Sequence, residues 1–208
     1  LGDSPTTPVD YIYTDAFATA VGQQRSVLTD DTGLARINTA AVTTGSYLDL
    51  HAGATDQIAG RALQIGADTI VRNLWAGDGN DTIVANDAGD TIQAGRGNDT
   101  IIAGLGGDTL SGGPGNDTFV FNAQPLSPDV ITDFLPGSDV IDLRGLISSS
   151  GYTGSDPVAD GWLSLQSDGH GGTAFAVGRA SNPAVDVASV APSMLHQGSD
   201  YLTVTSVA

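Results

Sequence analysis

The sequence predicts an all-β chain organised around a parallel solenoid of short strands. Three observations carry this: a composition short of helix formers, a run of five in-phase nonapeptides, and flanking segments that alternate with period two. Of 208 residues, 28 are glycine and 9 are proline. All 24 acidic residues are aspartate and all 7 basic ones are arginine. Glutamate and lysine, both good helix formers, are therefore absent, while aspartate favours turns and caps. A 40% hydrophobic content is enough for a real core in one or two domains. The net charge of −17 argues against nucleic acid and anionic membrane as partners and favours cations. With no cysteine there is neither a disulfide nor a thiolate metal site. No apolar run approaches transmembrane length. The chain opens on Leu1 without a secretory signal pattern, which reads as a fragment or processed product of a longer protein.

The solenoid prediction rests on AGDGNDTIV (76–84), ANDAGDTIQ (85–93), AGRGNDTII (94–102), AGLGGDTLS (103–111) and GGPGNDTFV (112–120), which follow one another without a gap. Position six is always aspartate: Asp81, Asp90, Asp99, Asp108 and Asp117. Position seven is always threonine. Position eight is always large and apolar: Ile83, Ile92, Ile101, Leu110 and Phe119. Six small, turn-competent residues reverse the chain, and three then form a strand. Side chains alternate along that strand, so position eight points inward while seven and nine point out. Two nonapeptides make one coil, and odd and even repeats stack in separate sheets. A solvated Gly/Asp linker would not hold a large apolar residue in phase five times.

Stacking sets each aspartate above the one two repeats later. An unpaired carboxylate column repels itself, and a hard cation between coils removes the conflict. Carboxylates plus carbonyls left uncovered by glycine suit Ca²⁺, with the more demanding Mg²⁺ second. A metal-free solenoid would leave the unbroken aspartate column unexplained.

The block resembles the RTX family, whose nonapeptide GGxGxDxUx forms a calcium-loaded parallel β-roll. The resemblance implies at least three Ca²⁺ ions. Each would take carbonyls at positions two and four and the aspartate of one repeat, and carbonyls at one and three and the aspartate of the repeat two later. One set is Gly77, Gly79 and Asp81 with Ala94, Arg96 and Asp99. The second is Asn86, Ala88 and Asp90 with Ala103, Leu105 and Asp108. The third is Gly95, Gly97 and Asp99 with Gly112, Pro114 and Asp117, so that Asp99 serves two ions. The half-sets Gly104, Gly106, Asp108 and Gly113, Gly115, Asp117 would be completed by Asp129 or Asp133. Asn86 and Ala88 depart from the family pattern, which has glycine there.

Downstream, residues 129–146 alternate around a turn at Pro136-Gly137 and are expected as a strand pair capping the roll. Asp129, Ile131, Asp133, Phe134, Gly137, Asp139, Ile141, Asp142 and Leu143 match a segment with which many RTX proteins leave the roll. Short strands are expected within 162–169, 172–179, 185–191 and 201–207, with a hairpin at SDGHGG. The end, Asp200-Tyr201-Leu202-Thr203-Val204, resembles the uncleaved C-terminal signal of type I secretion substrates. Upstream, Tyr47-Leu48-Asp49-Leu50, and Asp68-Thr69-Ile70 with Asn73, resemble the run into the roll of serralysin-type metalloproteases. Residues 1–35 show β texture only at YIYTDAF (11–17). The expected organisation is a β segment over 1–75, the roll over 76–120 and capping strands over 121–208, with antiparallel strands flanking the roll in a sandwich-like cap.

No catalytic motif is present. The zinc motif H-E-x-x-H needs glutamate, and His51, His170 and His196 have no ligand spacing. No G-x-S-x-G elbow supports a serine triad. Trp75 and Trp162 read as core or cap residues rather than sugar platforms. The implied function is a calcium-folded module of a secreted exoprotein, not itself an enzyme. Its implied partners are the type I secretion apparatus and an N-terminal passenger, the latter serralysin-like. The alternatives are a carbohydrate-facing module of a polysaccharide epimerase or lyase, and an adhesin or surface-layer terminus.

Overall fold

The computed structural model describes residues 9–19, 26–30, 32–178 and 183–203. Strands β1 (Asp10–Thr14), β2 (Val27–Leu28), β3 (Ala35–Ala41) and β4 (Tyr47–Asp49) open the chain, with a 3₁₀ turn at Asp15–Thr19. The hairpin β5 (Thr55–Ile58) and β6 (Arg61–Ile65) follows, then β7 (Val71–Trp75). The five repeats supply β8 (Thr82–Val84), β9 (Thr91–Gln93), β10 (Thr100–Ile102), β11 (Thr109–Ser111) and β12 (Thr118–Val120). Strands β13 (Asp129–Ile131) and β14 (Val140–Asp142), helix α1 (Arg144–Ser149), and β15 (Leu163–Ser167), β16 (Thr173–Val177), β17 (Val185–Val187) and β18 (Tyr201–Leu202) complete it.

Among the described residues the strands form two sheets facing each other across one core. Sheet A has the order β1-β3-β7-β9-β11-β13-β17-β16-β15, and sheet B the order β18-β14-β12-β10-β8-β4-β5-β6-β2. Odd and even repeats lie in different sheets, as the period requires. Position eight builds the core because the parallel register stacks it upon itself. Leu48, Ile83, Ile101, Phe119, Ile141 and Tyr201 form one inward row. Leu74, Ile92, Leu110, Ile131 and Val187 form the facing one. All eleven are buried, each stabilising the fold by roughly 1.5–3 kcal/mol.

The roll is longer than its repeats. Strand β3 pairs in parallel with β7, and β4 with β8, so a full coil precedes the first nonapeptide. Segment 129–146, expected to cap the roll, extends it instead: β13 pairs in parallel with β11, and β14 with β12. Its last residues, from Arg144, enter helix α1, a departure from the all-β expectation. Capping falls to the antiparallel strands β15, β16 and β17, joined through the hairpin at SDGHGG. At the other side β5 and β6 add an antiparallel pair to β4. Asp68 and Thr69 lie in a turn ahead of β7 rather than in the strand, and the Thr69 hydroxyl accepts the Asp30 amide (3.0 Å). Of the final expected strand, 204–207 lies outside the described residues, as does Val204 of the secretion-like ending.

Candidate metal centre

The coiling puts every turn from sheet A to sheet B on one edge, and every turn from B to A on the other. The aspartates line both edges. On the A-to-B edge the amide of Ser46 donates to Oδ1 of Asp81 (2.6 Å), Asp81 to Asp99 (2.8 Å), Asp99 to Asp117 (2.9 Å) and Asp117 to Asp139 (3.0 Å). On the B-to-A edge Asp90 donates to Asp108 (2.8 Å) and Asp108 to Asp129 (2.8 Å). None of these aspartates is more than 2% exposed.

One oxygen of each carboxylate is thus engaged by the preceding coil, except at Asp90, whose Oδ2 accepts the Asn86 amide of its own turn (2.8 Å). The other is often stranded. Oδ2 of Asp81, Asp99, Asp117 and Asp129 and Oδ1 of Asp90 are buried without a hydrogen-bond partner. A buried oxygen carrying negative charge and no donor is strongly unfavourable unless a cation meets it. Among the described residues no three acidic or histidine side chains converge. An ion here would therefore take paired carboxylates together with main-chain carbonyls.

The glycines show where those carbonyls point. A methyl group on Gly97 would overlap the carbonyl oxygen of Gly79, and one on Gly115 that of Gly97. Gly95 and Gly113 stand in the same relation to the carbonyls of Gly77 and Gly95. Positions two and four on the A-to-B edge thus direct their carbonyls at the next coil with no side chain in the way, and the Gly77 carbonyl accepts the Arg96 amide there (3.0 Å). Gly97 also has φ +135°, outside the range a side chain tolerates. The carbonyl of Pro114 faces upstream, where it accepts the Gly97 amide (3.1 Å). Ala94 and Gly112 are buried at the starts of their turns, while the Arg96 side chain is exposed, 3.8 Å from Asp78. The residues of both sequence-predicted sets on this edge, Gly77/Gly79/Asp81 with the 94–99 turn and Gly95/Gly97/Asp99 with the 112–117 turn, fit a hard, oxygen-bound cation.

The B-to-A set differs. The carbonyl of Ala88 accepts a hydrogen bond from the Arg72 guanidinium, and that of Leu105 accepts the Leu126 amide (2.8 Å). A methyl on Gly104 would overlap the Asn86 carbonyl, as the pattern predicts, but one on Gly106 would meet the amide nitrogen of Gly89. Ala103 is half-buried at the start of its turn, its amide bonded to Val120.

The half-sets resolve separately. Asp129 is the next rung after Asp108. Asp133 is not a rung: it accepts Ser111 Oγ (2.6 Å) and the amides of Gly112 (3.1 Å) and Gly113 (2.9 Å). The half-set of Gly113, Gly115 and Asp117 is continued by Asp139, which is absent from the sequence-predicted ligands. Asp139-Val140-Ile141 repeats the aspartate-x-apolar triplet of the nonapeptides, and that signal would have found it. Ser138 Oγ donates to the Gly115 carbonyl (2.9 Å) in this last turn. Asp200 adds a further rung, accepting the amides of Gly137 (2.6 Å) and His196 (2.7 Å). Asp56, also outside the sequence-predicted sets, is fully buried, with Oδ1 on the Asp49 amide (2.8 Å) and Oδ2 unpartnered.

Burial pushes these carboxyls up: Asp129 to about 8, Asp90 and Asp56 to about 7, and Asp81, Asp99 and Asp117 to about 6. Asp108 and Asp139 are raised for the same reason. Amide donors partly oppose the shift, and neighbouring rungs such as Asp99 against Asp81 add to it.

Residues 73–87 and 84–119 match the RTX calcium-binding nonapeptide repeat family (4 copies). No curated protein matches the chain. Among solved structures, the chain is similar to the R2 subunit of AlgE6, an Azotobacter vinelandii mannuronan C5-epimerase. The two share 21% identity over 83% of this chain and 95% of that one, with a TM-score of 0.42. The R3 subunit of the same enzyme shares 24% identity over 74% and 78% of the chains, with a TM-score of 0.32. The residues that match the RTX calcium-binding nonapeptide repeat, 73–119, are set within a longer roll.

Proposed function

We propose that the chain is a calcium-folded module of a secreted exoprotein, in which the ion supplies the positive charge that lets successive coils stack. The observation that carries this reading is the set of buried, unpartnered oxygens on Asp81, Asp99 and Asp117, on the edge where glycine carbonyls face the next coil. Bound Ca²⁺ neutralises facing carboxylates; the chain's own residues do the rest. The aspartate amides tie each rung to the next, and the inward rows bury the apolar side chains that stacking brings together. Because the site exists only in the folded form, binding adds to folding stability. An independent site at 100 times its Kd contributes about 2.7 kcal/mol. Where calcium is scarce the columns repel and the chain stays open, a state suited to passage through a narrow export channel of the type I kind.

For the parent protein, the carbohydrate-facing alternative has an observation that the serralysin-like tail lacks. Trp75 belongs to neither core nor cap. It stands half-buried on the outward face of sheet A, with the Arg36 guanidinium 5.1 Å from its ring centroid. The register places Asn38, Trp75, Gln93 and Ser111 in one outward row. A groove of about 330 Å³ bounded by Gln93, Arg96 and Ser111 lies beside it. A flat aromatic face with a planar cation and amide donors suits an acidic polysaccharide.

Three outcomes are expected. Calcium-stripped protein gains its β signal in far-UV circular dichroism cooperatively on addition of Ca²⁺ but not Mg²⁺; a stripped protein already fully folded and indifferent to calcium contradicts the reading. Calcium-loaded protein binds an oligouronate, and Trp75→Ala weakens that binding about tenfold, or 1.4 kcal/mol; unchanged binding removes the face from the proposal. The third concerns pH. The raised carboxyls have folded-state values above the unfolded value of about 3.9, so between roughly pH 4 and 8 the folded apo form binds more protons than the unfolded one. Stability of the calcium-free protein therefore falls as pH rises through that window, while calcium affinity rises. The far-UV β signal of stripped protein compared at pH 5 and pH 8 measures this, and a larger folded fraction at pH 8 contradicts it.

A further inference from the structure

The B-to-A edge carries the same repeat but not the same carbonyl arrangement. At position four of its first turn the peptide between Ala88 and Gly89 is reversed relative to its A-to-B counterparts. The Gly89 amide faces the next coil at Gly106, where on the other edge the Gly79 carbonyl faces Gly97 and the Gly97 carbonyl faces Gly115. The freed Ala88 carbonyl points back upstream, to Arg72 on β7. Asn86 secures the same turn to the preceding coil. Its Nδ2 donates to the carbonyls of Leu50 (3.2 Å) and Val71 (2.6 Å), and its Oδ1 accepts the Ala88 amide (2.8 Å). The position-three carbonyl of the partner turn, on Leu105, is spent on Leu126 (2.8 Å). Two of the four main-chain ligands that the repeat pattern assigns to this set are thus engaged elsewhere. Both oxygens of Asp108 are satisfied as well, by the amides of Asp90 (2.8 Å) and Gly104 (3.1 Å).

We propose that Arg72 is the resident cation of this first B-to-A rung, holding the Ala88–Gly89 peptide reversed so that no Ca²⁺ binds between the 85–90 and 103–108 turns. A guanidinium offers several donors in a fixed plane and stays charged at any working pH. It brings a fixed positive charge to the Ala88 carbonyl from a side chain tethered to the coil before the repeats, while Oδ1 of Asp90 keeps no hydrogen-bond partner. The two edges then behave differently: the A-to-B column needs calcium at each step, while the B-to-A column starts from a fixed positive charge. The first repeat coil can dock on the β7 coil before any ion arrives.

This inference rests on the calcium reading above, and the experiment separates the two. Calcium stoichiometry is measured by calorimetry on the wild-type chain, Asp90→Asn, Asp99→Asn, Arg72→Met and the Arg72→Met/Asp90→Asn double variant. A wild type that binds no calcium refutes the calcium reading itself. With calcium bound, the expectation is that D90N keeps the wild-type number of ions while D99N binds fewer. R72M, its Ala88 carbonyl released, gains one ion, which the double variant loses again. An ion lost in D90N alone overturns the proposal, as does a folded R72M with an unchanged count. If R72M does not fold, the D90N count decides.

Discussion

Carboxylates removed from water without a partner oxygen donor dominate this molecule. Eight aspartates line the two edges of the roll at no more than 2% exposure, and five of them keep one oxygen with nothing to bond. The apolar rows need the coils close; the carboxylates oppose that closeness. Strand spacing within a sheet is set by the ladder, so the conflict cannot be relieved by moving the coils apart. It can be relieved only by supplying positive charge or by keeping protons on. Glycine at positions two and four follows from the same demand, because a side chain there would fill the space where carbonyls and carboxylates converge.

The nonapeptide makes the central roll legible from the amino acids alone. An invariant aspartate at position six and an apolar residue at eight fix the turn, the strand and the inward face together. The flanking coils are not legible in this way because their turns change length. Asp81 to Asp99 is 18 residues, as are the steps Asp90 to Asp108 and Asp99 to Asp117. Asp108 to Asp129 is 21, and Asp117 to Asp139 is 22. Inserted residues leave the strand register intact while destroying the sequence phase, which hides Asp139 as a rung. Upstream, Ser46 occupies the rung where the repeats have aspartate, and the hairpin β5–β6 separates its coil from the first repeat. The outward position of Trp75 is hidden for a related reason: the bulge between Ala35 and Arg36 in the β3–β7 register obscures which side of β7 faces out.

The inequality of the two edges is legible only in part. Asn86 and Ala88 stand where the A-to-B repeats have glycine, but the reversal of the Ala88–Gly89 peptide is not written in that change alone. Arg72 and Leu126 reach the carbonyls of this edge from outside the repeats. Repetition sets the scaffold; the residues next to it decide which turns are open to an ion.

The most direct test is to crystallise the chain with calcium and locate the ions by their anomalous scattering. The account predicts peaks on the A-to-B edge, between the Asp81 and Asp99 turns and between the Asp99 and Asp117 turns. Their absence from both positions in calcium-soaked, folded protein would contradict it.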